Sequence, residues 1–273
     1  MKGEDAAWKN EAGPISNYFS AVNRNKRSVT LNLKNEKGKE ILLNLARNAD
    51  VLKRGGYDPI AAAEGGMLHI TGERDGAPVR VGIGMIDMAT GLYMHGAILA
   101  ALQVRHQTGQ GQRVDASLFE TQVSMLTNVG LSWLNLGIEA ERWGCQHPSI
   151  APYDAFRTKD LYLVCGATND GQFSALCKLL GLDSLPLDER FATNPSRVEN
   201  RDALTPIFNE VFAKKTTAEW MEVFEGTGLP FAPINNMEGT FSHRQTSARH
   251  MVAQVPIEAA TAGVINLIGE SAF

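Results

Sequence analysis

SVTLNLKNEKGKEILLNLARNADVL, residues 28–52, changes its hydrophobic rhythm halfway along. SVTLNL (28–33) alternates apolar or β-branched residues with polar ones, as a strand with one covered face does. From Asn35 the apolar residues Ile41, Leu42, Leu45 and Ala49 recur at helical spacing, and Asn35 stands where a helix N-cap belongs. The result is a β-then-α unit, the building block of α/β architecture. A second strand opens at ADVL (49–52) and breaks off almost at once into KRGGYDPIAAAEGG, a junction that looks cut short.

The bulk properties narrow the chemistry. The chain has 273 residues, 44% hydrophobic and 21% charged, enough for one large domain or two smaller ones with a real core. A net charge of −4 gives no general attraction to nucleic acid or to an anionic membrane, so small-molecule chemistry is expected, with no nucleic-acid and no membrane partner. Cys145, Cys165 and Cys177 are odd in number, lack a CxxC spacing and have no matching histidine cluster, so reduced thiols are expected and no metal site. The start, MKGEDAAWKNEAG, has neither the apolar core of a signal peptide nor the Arg-rich, acid-poor character of a transit peptide. No run of about 18 apolar residues is evident, so no membrane span is expected.

Further along, GMIDMATGLYMHGAILAALQV (84–104) places one carboxylate, Asp87, at the head of an almost uncharged helical pattern running from Met88 to about His106. Its spacing makes Asp87 the helix N-cap. A helix N-terminus also favours an anion, so the same carboxylate could serve as a nucleophile, and both readings stay open on spacing alone. The GQGQ turn (109–112) lacks the GxGxxG pattern of a nucleotide loop and reads as a connection, followed by a strand over Arg113–Leu118 and another helix. YDAFRTKDLYLVCGATND (153–170) predicts a hairpin. QFSALCKLLGL, RVENRDALTPIFNEVFAKK and TAEWMEVFEGTG predict three amphipathic helices, the last capped by Thr217 and closed by Gly226 or Gly228. HMVAQVPIEAATAGVINLIGESAF reads as short strands with a turn near Thr261–Gly263.

Several ordered stretches, among them NYFSAVNRNKRSVTLNLKNEKGKEILLNLARNADVL, the GYDPIAAAEGGMLHITGERDGAPVRVGIGMIDMATG segment, RWGCQHPSIAPYDAFRTKD and FEGTGLPFAPINNM, resemble the class III CoA-transferases of the CaiB/BaiF type. The resemblance covers nearly everything after Asn17. It implies an α/β fold with an incomplete Rossmann-like large domain plus a small α+β domain: 1–152 large-domain part, 153–238 small domain, 239–273 return to the large domain. Family members are interlocked homodimers, and a shortened chain leaves that closure in doubt. The stretches RWG, PYDAF and FEGTGLPFAPINNM are most similar to the branch that moves CoA from succinyl-CoA to glutarate. That branch implies a mitochondrial location; otherwise a cytoplasmic one is expected.

By this resemblance Asp87 is the nucleophile. It attacks an acyl-CoA thioester to give a mixed anhydride and CoA thiolate, the thiolate returns to give an aspartyl-CoA thioester, and the acceptor carboxylate takes over the CoA. Ala89, Thr90 and Gly91 are small enough for backbone amides to approach the reacting oxygen. The resemblance gives Leu31, Asn32, Leu33 and Lys34, together with Gly55, Gly56, Tyr57 and Asp58, to CoA, and places His147 near a substrate loop. CoA thioesters are substrates, and no permanent cofactor is expected. The alternative is an α-methylacyl-CoA racemase, whose histidine lies where this chain has Tyr57; a phenol is a poor base for an α-proton at neutral pH, so transfer is favoured. The resemblance also marks pieces of the family's chain as absent at both ends and, between Leu52 and Lys53, a block of some tens of residues. A truncated, catalytically inactive isoform is therefore the other alternative.

Overall fold

The hairpin predicted between residues 153 and 170 is present and anchors the larger packed body. β1 (Tyr153–Arg157) and β2 (Tyr162–Gly166) pair antiparallel from Tyr153 opposite Gly166 to Arg157 opposite Tyr162, and β3 (Phe231–Pro233) adds to the other edge of β2. The structure is a computed structural model that describes residues 27–47, 57–256 and 264–269. It divides into two compact units, residues 1–48 with 235–273, and residues 49–234.

In the larger unit, the three-stranded sheet is covered by helices for which the sequence supplies both faces and ends. α7 (Asp170–Leu180) is capped by Asn169, whose Oδ1 accepts the Gln172 N–H at 2.9 Å, and it closes on Gly181 in the left-handed region. Its Phe173, Leu176, Cys177 and Leu180 are buried. The single helix predicted over 197–215 is two, α8 (Asn194–Glu199) and α9 (Arg201–Phe212), with the break at Asn200. α10 (Thr217–Phe224) is capped by Thr216 and not by Thr217: the Thr216 hydroxyl accepts from Glu219 N–H while the Glu219 carboxylate accepts from Thr216 N–H, a reciprocal capping box. Thr217 is buried and turned inward, its N–H and hydroxyl held by Asp160.

The core of this part is aromatic. Phe156 of β1 stacks on Phe212 at 4.7 Å between ring centroids, Phe212 meets Trp220 at 5.1 Å, and Phe224 meets Phe231 at 5.1 Å, so β1, α9, α10 and β3 are joined through one run of rings. Trp220 also donates its indole N–H to the Phe212 carbonyl at 2.8 Å, which leaves no polar atom of that ring unpaired in the core.

A second, smaller cluster in the same unit is built from α2 (Asp58–Glu64), α4 (Met85–Thr108) and α5 (Leu118–Met125) around Ala61, Ala62 and Ile86, with Leu118, Met125 and the Met67 and Leu68 of α3 (Met67–Ile70) packed on it. Gly65 lies at its closest approach. A Cβ there would overlap the Gln122 side chain, which is fully buried on α5 and donates to the Gly65 carbonyl at 3.3 Å. The strand expected over Arg113–Leu118 is not formed: residues 110–117 are irregular, Arg113 pairs with Asp115, and Ser117 caps α5 through its hydroxyl. α5 runs almost directly into α6 (Thr127–Leu136).

α4 begins three residues before the predicted start and ends in the left-handed Gly109. It also corrects the expectation that no apolar run reaches membrane length. This 24-residue helix has a window of mean hydropathy 1.3, long and apolar enough by length and composition alone to cross a bilayer. Within it only Ile86 and Thr90, in the first turns, are buried, Ile86 in the cluster with α2 and α5.

In the smaller unit, α1 (Glu36–Arg47) starts as predicted at Asn35, whose Oδ1 accepts the Lys37 N–H at 2.9 Å. Ile41 and Leu45, expected on a covered face, are about half exposed. SVTLNL forms no strand among the described residues. It has no regular structure through Asn32 and turns at Leu33, with the Asn32 side chain accepting from Lys34 N–H at 3.0 Å. A strand persists only with a partner for its backbone groups, and ADVL, the next strand of the sequence, lies outside the described residues. α11 (Met237–Ser242) and α12 (Arg244–Ala248) follow, then the antiparallel pair β4 (Val252–Pro256) and β5 (Val264–Ile268). The predicted turn near Thr261–Gly263 lies outside the described residues.

Candidate active site

Asp87 is the third residue of α4, not its cap. Gly84 occupies the N-cap position and offers no side chain, so the first-turn N–H groups must find acceptors elsewhere. They find them in a residue far off in the chain. Asp58, the first residue of α2, points its Oδ2 at the start of α4 and accepts the Ile86 N–H at 2.6 Å and the Asp87 N–H at 3.2 Å. The remaining donors are also committed: Met85 N–H to the Ile83 carbonyl at 2.9 Å and Met88 N–H to the Gly84 carbonyl at 3.1 Å.

Two consequences follow for the chemistry. The Asp87 side chain is exposed and has no hydrogen-bond partner among the described residues, so it is free to meet a substrate. The small residues Ala89, Thr90 and Gly91, expected to present amides to a reacting oxygen, sit inside α4, where an N–H is taken up by the carbonyl four residues back. Thr90 is buried and its hydroxyl donates to the Ile86 carbonyl at 2.7 Å, a structural bond one turn below Asp87. The N–H groups of this stretch of α4 are therefore not open donors for a ligand beside Asp87.

The other predicted site residues fall in separate places. Tyr57 precedes Asp58 in extended conformation and is 82% exposed. Gly55 and Gly56 lie outside the described residues. Leu31–Lys34 belongs to the smaller unit, where it folds back on the first turn of α1; a Cβ on Gly38 would overlap the Asn32 carbonyl oxygen, so that glycine sets the close approach. His147 is used locally. Its Nδ1 accepts the Ser149 N–H at 3.2 Å, and its ring lies 5.6 Å from that of Tyr153. Among the described residues, no group of three or more His, Cys, Asp or Glu side chains is placed to hold a metal.

An open cavity of about 700 Å³ in the same unit is lined by Arg74, Trp143, Cys145, Asp154, Tyr162 and Asp202 among others, and by neither Asp58 nor Asp87. Two guanidiniums lie over the Trp143 ring, Arg74 at 5.1 Å and Arg201 at 5.2 Å from its centroid. Partial burial, with Asp154 and Glu73 nearby, pushes the Cys145 thiol up from its ordinary value, which makes it a weaker nucleophile at neutral pH.

Sequence spacing missed the role of Asp58 as the cap of another helix, and it missed Arg197. That guanidinium, fully buried, donates to the Ala151 carbonyl at 2.6 Å, the Phe191 carbonyl at 2.9 Å and Asp170 Oδ1 at 2.8 Å, and lies 4.2 Å from the centre of the Phe173 ring. The Asp-Pro pair at 58–59, with proline inside a first helical turn, was the available signal for the α2 start. Nothing local shows which second helix that aspartate serves.

Comparison with known proteins bears on what this arrangement does. The sequence profile described as CoA-transferase family III matches residues 3–53 and 52–269, two stretches that meet at the Leu52–Lys53 junction. An acyl-CoA transferase of Fusarium pseudograminearum is 56% identical over 310 aligned positions, covering 98% of this chain and 68% of the relative. Succinyl-CoA:glutarate CoA-transferases of mouse and human are 40% and 38% identical, covering 88% and 94% of this chain and 64% and 68% of theirs. The chain thus spans about two thirds of the length of these curated relatives. The 310 positions of the Fusarium alignment exceed the roughly 268 residues that make up 98% of this chain, so about forty of them face a gap in it. Among solved structures, a CaiB/BaiF family protein from Brucella suis superposes with a TM-score of 0.79 at 31% identity, covering 97% of this chain and 79% of that one. A Mycobacterium tuberculosis structure gives 0.77 at 26% identity, covering 97% and 80%. These neighbours share the α/β fold expected from the sequence, and with the profile match over most of its length the chain belongs to CoA-transferase family III.

Proposed function

We propose that this protein transfers CoA from succinyl-CoA to glutarate or a related dicarboxylate through a thioester on Asp87. The observation that carries the proposal is the state of that carboxylate: exposed, without a hydrogen-bond partner among the described residues, and carried on a helix start whose donors are already satisfied. The naming of the mouse and human relatives, and of a succinate–glutarate CoA-transferase from Agrobacterium fabrum at 32% identity, supports the choice of donor and acceptor.

Each step conserves the acyl and thiol groups. Asp87 Oδ attacks the succinyl thioester carbon, the C–S bond breaks, and CoA leaves as thiolate from a succinyl-aspartyl anhydride. The thiolate attacks the aspartyl carbonyl and releases succinate. Glutarate attacks the aspartyl-CoA thioester, CoA leaves again, and its thiolate then takes the glutaryl group from the second anhydride, restoring the Asp87 carboxylate. Covalent catalysis suits this exchange because every leaving group is a thiolate or a carboxylate. In this proposal the family resemblance assigns Leu31–Lys34 and Gly55–Tyr57 to CoA and His147 to a substrate loop. A homodimer and a mitochondrial setting belong to the same proposal.

Tyr57, in place of a racemase histidine, supplies no base for proton abstraction at neutral pH and so supports transfer over racemisation. A second proposal, a chain that keeps the nucleophile without turnover, is favoured by the break in the family match at residues 52–53. The two separate cleanly. Incubation with succinyl-CoA and glutarate is expected to yield glutaryl-CoA and succinate by mass spectrometry, and hydroxylamine is expected to convert the intermediate to a hydroxamate on Asp87. Absence of both products overturns transfer. Titration of the same protein with CoA by calorimetry, giving no heat of binding, would then establish the inactive form.

A further inference from the structure

We infer that Asp58 is the positioning residue of this site, holding the start of α4 so that the Asp87 side chain stays free for substrate; the inference rests on the proposed role of Asp87. An aspartate in the first turn of a helix ordinarily has a use for its oxygens close at hand, because the N–H groups there lack intrahelical acceptors. Here those groups are already occupied. Asp58, 29 residues before Asp87 and on a different helix, takes both the Ile86 and the Asp87 N–H with one oxygen. The bond to Asp87's own N–H fixes the backbone from which the reacting carboxylate springs.

Charge adds to the effect. Asp58 lies at the N-terminus of α2 and against that of α4, two places where an anion is favoured. With Asp58 on the Ile86 and Asp87 N–H groups, the Asp87 carboxylate has no open first-turn donor to fold back onto. A carboxylate committed to backbone donors is also a poor partner for the phosphates of CoA. The resemblance gave Asp58 to CoA; the geometry gives it to the helix.

The test uses the full chain with succinyl-CoA and glutarate. Asp58→Ala is expected to lower kcat about tenfold or more with KM for succinyl-CoA within about twofold, the signature of a lost transition-state arrangement and not of lost substrate contact. The rate at which the hydroxylamine-trapped adduct appears on Asp87 should fall by the same factor. Asp58→Asn, whose amide oxygen still accepts, should recover most of the lost kcat. Amide hydrogen exchange over residues 84–92 should quicken in Asp58→Ala and stay at the wild-type rate in Asp58→Asn. An unchanged kcat in Asp58→Ala, or a raised KM with kcat intact, overturns the inference, the second result making Asp58 a CoA contact. Should Asp58→Ala lose its cooperative melt, Asp58→Glu decides: one added methylene is expected to lower kcat several-fold at constant KM, and full activity overturns the inference. A wild-type chain that forms no glutaryl-CoA overturns the function and this inference together, whereas an active wild type beside a fully active Asp58→Ala overturns this inference alone.

Discussion

Arg197 reaches Asp170 from inside the protein: a fully buried guanidinium donates through Nη2 to a carboxylate at the surface, 2.8 Å away. Its other two bonds end on the carbonyls of Ala151 and Phe191, so one side chain joins the approach to β1, the segment before α8 and the start of α7. Arg197→Met should leave those carbonyls without partners and lower stability by on the order of 3 kcal/mol, measured as a shift of the urea midpoint. Arg197→Lys should recover only part of this, because an ammonium cannot reproduce the planar fork.

The capping box of α10 predicts a smaller loss. Thr216→Ala removes the acceptor for Glu219 N–H, and the expected cost is about 1 kcal/mol. Thr217→Ala, at the position the sequence pointed to as cap, removes instead a buried hydroxyl bonded to Thr158 at 2.8 Å and to Asp160. Thermal melts of both variants at neutral pH check the assignment: Thr216→Ala should leave the Asp160 contacts intact, so the double variant Thr216→Ala with Asp160→Asn should show nearly additive losses.

Asp160 makes the acid limb of the stability curve predictable in sign. The Thr217 N–H, then the Thr158 and Thr217 hydroxyls and the Leu161 N–H, hold its carboxylate below the usual range against the opposing effect of desolvation. A carboxylate whose pKa is lower in the folded state stabilises the fold above its unfolded value, near 4, and that contribution fades as pH falls from there through the folded value. Asp160→Asn should therefore show a shallower loss of stability between neutral pH and pH 3 than the wild type, read from urea midpoints across that range. Equal slopes would contradict the assignment.

The thiols should sort by burial. Cys165 and Cys177, on β2 and α7, are pushed up to about 12, in both cases chiefly by burial. Cys145 is exposed. At pH 8 the native protein should lose one thiol to a disulfide-exchange reagent, slowly because partial burial and then the neighbouring acids disfavour the thiolate, and denaturation should release the other two. Cys145→Ser should leave the native protein unreactive.

Much of the larger unit was legible along the chain because its elements carry local signals. Asn169 and Gly181 bracket α7, the alternation in YDAFR and YLVCG gave the hairpin, and Gly109 marks the end of α4. Where the sequence misled, the deciding contact was distant. SVTLNL alternates well, yet a strand needs a neighbour, and no described residues supply one. Thr217 and Thr216 are equally good caps by type; Asp160, 57 residues earlier, claims one and so leaves the other to the helix. Asp87 was found by its setting and by family resemblance, but its relation to Asp58 could not be seen from spacing, since a cap borrowed from another helix leaves no mark on the helix it serves.

The accounting at the head of α4 has one more implication. Under the proposed transfer, with Met85, Ile86, Asp87 and Met88 N–H all spoken for, α4 would bring the attacking group and none of the donors that stabilise the negative oxygen the attack creates. Attack and stabilisation would then be divided between separate pieces of polypeptide, and the proposed turnover would draw on donors that α4 does not supply.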